Sequence, residues 1–167
     1  QHGAAKVYAV DVGYGQLAWS LRNDPRVICK ERTNARYLTV EHLGEAVDIV
    51  TIDVAFISLD KILPAVKGLL KPDGQVVALI KPQFEAGREK VGKKGVVKDP
   101  DVHREVINRI LNRAEQTGYR ICGLDFSPVK GPEGNIEYLA WLGLETGQQV
   151  DWQALVNTVV GSAHCSL

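Results

Sequence analysis

One feature constrains the fold of this chain more than any other: short apolar runs that stop on a charged residue. "KVYAVD" (6–11) ends at Asp11, "VDIVTID" (47–53) ends at Asp53, and "QVVALI" (75–80) passes directly into Lys81. Runs of this length, rich in valine and isoleucine, suit strands covered on both faces, as in a parallel sheet. A charged residue ending each run marks the point where the buried strand reaches water.

The segments between these runs are amphipathic. "GQLAWSLRNDP" reads as a brief helix with Leu17, Ala18 and Leu21 on one face, stopped by Asn23, Asp24 and Pro25. "RVICKE" reads as a strand and "RTNARYL" as a loop. Ser58 or Asp60 opens a helix expected to run through Leu70, with "KPDG" (71–74) as its stop. Asp99 and Pro100 form the strongest helix start, since aspartate caps well and proline suits the first helical position. Val102, Val106, Ile107, Ile110, Leu111 and Ala114 then keep helical spacing up to Gly118. "RICGLDFS" and "NIEYLAWLGL" read as two final strands joined by a "PVKGPEGN" turn, with Glu137 inside the second. The tail "DWQALVNTVVGSAHCSL" reads as a short, frayed helix. Strand–helix alternation that closes on a hairpin specifies an α/β fold with a mixed sheet.

With 167 residues, 45% apolar and 24% charged, the chain suits one ordinary globular domain. The formal net charge is zero, so an anionic partner must be held by local patches. Cys29, Cys122 and Cys165 lack metal-ligand spacing, and no pair of histidines suggests a metal site. No apolar run approaches the roughly 18 residues that span a bilayer. A cytoplasmic protein is expected.

In open α/β sheets ligands bind outside the carboxyl ends of the parallel strands. Asp11 suits an acid that accepts hydrogen bonds from ribose hydroxyls, or a solvated strand-end aspartate. Asp53 and Lys81 end consecutive parallel strands and should lie side by side, as a rim salt bridge or as a pair that orients an alcohol and takes up its proton. Glu137 is disfavoured within a strand; it faces either water or the same mouth. The loop 84–98 sets Arg88, Lys90, Lys93, Lys94 and Lys98 against Glu85 and Glu89. It is either a solvated charged loop or a grip for the phosphates of a polyanion.

The stretches "VYAVDVGYGQLAWSLRNDPRV", "ERTNARYL", "IDVAFISL", "LIKPQFEAGREKVGKKGVVKDP" and "GPEGNIEYL" carry the identification. Over residues 5–142 the chain resembles the TlyA family, the so-called hemolysin A proteins related to the FtsJ ribose methyltransferases. The resemblance implies a class I S-adenosylmethionine-dependent methyltransferase fold, Rossmann-like, with a final antiparallel strand. It implies 2′-O-methylation of ribosomal RNA. Asp53, Lys81 and Glu137 match the last three members of a Lys-Asp-Lys-Glu tetrad. Asp11 matches the ribose-binding acid and Asn34 a position that contacts adenine. Asp53 also falls at the cofactor, and Arg88, Lys90, Lys93 and Lys94 fall where RNA would be gripped.

Departures from the family pattern shape further expectations. The S4-like RNA-binding domain, the first tetrad lysine, the first strand and its glycine-rich loop have no counterpart in the sequence, which contains no methionine. Residues 1–145 are therefore expected to form an FtsJ-like domain incomplete at its N-terminus, with 146–167 as a C-terminal tail. The sheet is expected to be interrupted where the first strand would lie, unless a rearrangement or a partner chain closes the gap, and this chain alone to bind S-adenosylmethionine weakly or not at all and to be inactive. Two other functions compete: a non-catalytic RNA-binding remnant, and a membrane-active hemolysin. The second is disfavoured by the lack of spanning or alternating barrel segments.

Overall fold

Valine and isoleucine supply the strands. In the computed structural model, which describes residues 2–145 and 147–167, the runs become β1 (Val7–Val10), β2 (Val27–Lys30), β3 (Val47–Ile52), β4 (Leu70–Ile80), β5 (Arg120–Phe126) and β6 (Tyr138–Gly143). The helices are α1 (Trp19–Arg22), α2 (Val40–Leu43), α3 (Leu63–Lys67), α4 (Pro82–Glu85), α5 (Pro100–Thr117) and α6 (Trp152–Ser166). Among the described residues no helix is long and apolar enough to cross a membrane.

The strands form two sheets. β1 and β2 pair in parallel, and a second sheet has the order β3-β4-β6-β5. β3 and β4 are parallel, whereas β6 runs antiparallel to both β4 and β5. The mixed α/β sheet expected from the sequence is present, and so is its interruption, which falls between β1 and β3. Lys6 and Tyr8 both donate to Glu45 Oε1, at 2.6 and 2.7 Å, so the start of β1 lies beside the approach to β3. Among the described residues each of these two strands has a partner on one side only. Their apolar side chains are correspondingly open: Val7 is 42% and Ile49 58% exposed.

Three local expectations need correction. Residues 71–74 do not stop a helix but lie within β4. Leu70 pairs with Val47, the register shifts between Val47 and Ile49, and Gln75 resumes opposite Ile49. Gly74 permits the irregularity, because a Cβ there would meet the Leu70 side chain and the Lys71 carbonyl at 2.9 Å. The helix before it is shorter than its apolar spacing suggests. Ser58 caps a 3-10 turn at Leu59–Lys61, and α3 ends at Gly68 because Leu69 and Leu70 are drawn toward the sheet. Nor does the tail fray: Asp151 caps α6, which buries Trp152, Val156, Val159, Val160 and Ala163. An apolar helical face persists when tertiary neighbours cover it; here these are α5 and β5.

Helix α5 follows the sequence closely. Asp99 Oδ1 accepts the Asp101 amide at 2.8 Å, Pro100 opens the helix, and Gly118 closes it at φ 95°. Its buried Val106, Ile107, Ile110, Leu111 and Ala114 join one cluster with Val76, Ala78 and Ile80 of β4 and Tyr138, Ala140 and Leu142 of β6. The alternation along β4 and β6 thus assigns one face of the sheet to α5.

His103 lies fully buried in that cluster. Its Nε2–H donates to the Val97 carbonyl at 3.0 Å, which leaves Nδ1 to accept from the Tyr138 hydroxyl at 2.7 Å. His164 Nε2 lies 3.1 Å from the same Nδ1. Burial lowers the pKa of His103 from 6.5 to about 4, and burial lowers that of His164 as well. As pH falls, an unfolded chain protonates these rings first, so folding loses stability through the window from about 6.5 down to about 4. The melting temperature should therefore drop across that window, and His103→Gln should flatten the drop. An unchanged pH profile in that variant would remove His103 from the account.

Candidate functional site

The register of the larger sheet decides which side chains meet. Ile52 of β3 pairs with Ala78 of β4, so Lys81 leaves β4 just beyond the end of β3. Its Nζ reaches Asp53 Oδ1 at 2.5 Å; Lys81 is 15% and Asp53 72% exposed. Proline at the next position starts α4, so the chain turns away and Lys81 stays at the rim.

Glu137 sits just before β6, not inside it as the sequence suggested. Ile80 pairs with Tyr138 across the antiparallel ladder, and one further step of that register sets Glu137 opposite Lys81. It therefore faces the mouth and not open water, with 6% exposure. Gln83 Nε2 donates to Glu137 Oε1 at 2.9 Å. Gly131 makes room for this carboxylate: a Cβ there would lie 2.4 Å from Glu137 Oε1.

Asp11 and Asn34 belong to the smaller sheet, on loops knitted together. The Thr33 amide donates to the Asp11 carbonyl and the Arg32 amide to the Gly13 carbonyl, both at 3.0 Å. Asp11 is exposed, and its Oδ1 accepts the Gly13 amide at 2.6 Å. It borders a cleft of about 200 Å³ with Val10, Gln16, Leu17, Cys29 and Glu31. Asn34 uses its Oδ1 to cap the turn Ala35–Tyr37, accepting the Arg36 amide at 3.1 Å. The Arg22 guanidinium holds the Glu31 carboxyl below the usual carboxylate range.

Within the basic loop, Arg88, Lys93 and Lys94 are exposed, while Lys90 is paired with Glu105 on α5 at 2.5 Å. Two groups of residues at the mouth escaped the reading of the sequence. Phe56 stands 89% exposed at φ 62°, a conformation unusual for a bulky residue, and its ring lies 4.7 Å from that of Phe84. The pair lines a cleft of about 590 Å³ with Gln83, Arg88 and Val91. The available signal was Phe56 in "DVAFISL", an aromatic three positions past a rim acid.

The second group braces the mouth from behind. Glu85, whose side chain is 2% exposed, accepts the Leu59 amide at 2.8 Å and the Arg109 guanidinium at 2.7 Å. Arg109 also pairs with Asp60. The segment that follows Asp53 and the segment that follows Lys81 are thereby joined through one buried carboxylate.

The chain is similar to known proteins over most of its length. The family model of FtsJ-like methyltransferases matches residues 1–144. The 16S/23S rRNA (cytidine-2′-O)-methyltransferase TlyA of Mycobacterium tuberculosis is 49% identical over 157 residues, 94% of this chain and 59% of that protein. A solved structure from Streptococcus thermophilus that carries the hemolysin name superposes with TM-score 0.91 at 46% identity, covering 98% of this chain and 60% of that one. An S-adenosylmethionine-dependent methyltransferase from Mesorhizobium loti, 14% identical, shares the fold at TM-score 0.58 over 85% of this chain and 82% of its own. The chain spans about three fifths of the length of the curated relatives it matches.

Glu85→Ala would leave the Leu59 amide and the Arg109 guanidinium without this acceptor. The variant should lose on the order of 2 kcal/mol in urea unfolding; unchanged stability would show that the brace contributes nothing.

Proposed function

We propose that this chain, which belongs to the FtsJ-like methyltransferase family, forms the catalytic part of an S-adenosylmethionine-dependent ribose 2′-O-methyltransferase acting on ribosomal RNA in the cytoplasm. The observation that carries this reading is the Asp53–Lys81 contact with the buried Glu137 opposite it. The TlyA relative, a 16S/23S rRNA (cytidine-2′-O)-methyltransferase, supports it.

The residues present fit the adenosyl end of the cofactor: an exposed carboxylate, Asp11, borders a small cleft at the ends of β1 and β2. Asp11 accepts from the ribose diol, and Asn34 on the adjoining loop meets the adenine. When bound, S-adenosylmethionine supplies an electrophilic methyl group.

Lys81 holds the attacking 2′-hydroxyl oxygen. Lys81 is placed to accept that oxygen's proton, and Asp53 to stabilise the ammonium that carries it. Glu137, fixed by Gln83, directs the ribose from the other side. Displacement of this kind requires alignment of the reacting atoms, so positioning supplies much of the rate. Phe56 and Phe84 give the target base an aromatic surface beside the mouth. Arg88, Lys93 and Lys94 meet phosphates, and Lys90 joins them when its pairing with Glu105 opens.

Lys81→Ala, made in a chain of the relatives' full length, should abolish methyl transfer to ribosomal RNA while the far-ultraviolet dichroism stays unchanged. Activity close to wild type would remove Lys81 from the mechanism. In calorimetric titration the present chain, with β1 and β3 unpaired on their facing side among the described residues, should bind S-adenosylmethionine far more weakly than a chain extended to the relatives' length. Equal affinities would refute a role for that gap.

A further inference from the structure

Asn135 is 3% exposed and fully engaged. Its Oδ1 accepts the Val97 amide at 3.1 Å, and its Nδ2 donates to the Gly95 and Pro132 carbonyls at 3.0 and 3.2 Å. These partners fix the orientation of the side-chain amide, since the Val97 amide can only donate and the two carbonyls only accept. Its backbone carbonyl accepts the Gly131 amide at 2.8 Å. The turn that Asn135 closes holds Glu133 at φ 58°, a strained conformation that persists only where its surroundings enforce it.

Gly95 and Val97 end the basic loop, and Glu137 lies two residues beyond Asn135. Val97 is gripped twice, by Asn135 at its amide and by His103 at its carbonyl, and its side chain is 2% exposed. At the other end of the loop, Gln83 donates to Glu137 itself. Both ends are thus fastened to the segment 135–137, while Arg88, Lys93 and Lys94 between them stand in solvent.

We propose that Asn135 is a positioning residue that couples engagement of RNA by the loop 84–98 to the placement of Glu137. The proposal rests on the roles assigned above to Glu137 and to the loop. A phosphate held by Lys93 or Lys94 acts on Gly95 and Val97, and through Asn135 on the turn against which Glu137 is packed. A buried asparagine that only supported the loop would affect RNA affinity and stability and leave the chemical step alone.

The test uses Asn135→Ala and Asn135→Asp in a chain of the relatives' full length, with a transcribed ribosomal RNA fragment that the wild type binds. Asp keeps the acceptor for Val97 and loses both donors, so it serves if the alanine variant does not fold. At saturating RNA, the single-turnover methyl-transfer rate should fall about tenfold or more, with S-adenosylmethionine affinity unchanged. A rate within about twofold of wild type, with only RNA affinity or melting temperature reduced, overturns the coupling. If the wild type binds RNA but transfers no methyl group, the methyltransferase reading fails and amide exchange decides the coupling. The Ser127 amide donates to the Glu137 carbonyl at 2.9 Å. RNA should slow its exchange in the wild type and not in the variants; equal slowing in both overturns the proposal.

Discussion

The antiparallel pairing of β6 with β4 governs the site. With Ile80 opposite Tyr138, the ladder lays alternate residues of both strands against α5 and delivers Glu137 to the rim at Lys81. A slip by one residue would turn Tyr138, Ala140 and Leu142 away from the core and carry the carboxylate from the mouth. Packing and the placement of the rim carboxylate are therefore specified by the same register. The core holds it firmly, because Tyr138 is fully buried and its hydroxyl is engaged with His103.

Around this register the polar groups are arranged as cross-links. Glu85 and Arg109 join the segments after β3 and β4, and Gln83 joins the second of these to Glu137. A buried carboxylate is retained at such a place only if its oxygens are occupied. Those of Glu85 are occupied, by a backbone amide and a guanidinium. The charge balance of the chain is then local: paired charges brace the mouth, while Arg88, Lys93 and Lys94 project from the loop beside it.

Much of this was legible in the sequence. Asp53 and Lys81 end apolar runs of adjacent parallel strands, and a sheet with that topology brings them together. Helix α5 was readable at both ends from Asp99, Pro100 and Gly118. Glu137 was harder, because its face depends on where β6 begins, and a strand boundary is set by its partner and not by its own residues. Residues 71–74 misled for a related reason: Pro72 and Gly74 signal a turn locally, yet pairing with β3 absorbs them as an irregularity. Helix α6 was underestimated because its stability comes from burial against α5 and β5, which no local window contains. Phe56 was missed because neither its positive φ nor its exposure has a signature in composition.

The divided sheet has a consequence for cooperativity. None of the described residues from 2 to 37 is buried, and β1 and β2 are four-residue strands forming a pair of their own. A lone two-stranded sheet is marginally stable in water, so this part occupies the low end of the stability range within the molecule. The half that carries Asp11 and Asn34 can loosen while the half that carries Lys81 and Glu137 stays intact. Under the proposed function, capture of a nucleoside there would be coupled to the folding of its own binding surface. Part of the interaction energy would go into ordering that surface, and its melting would hasten release of the ligand.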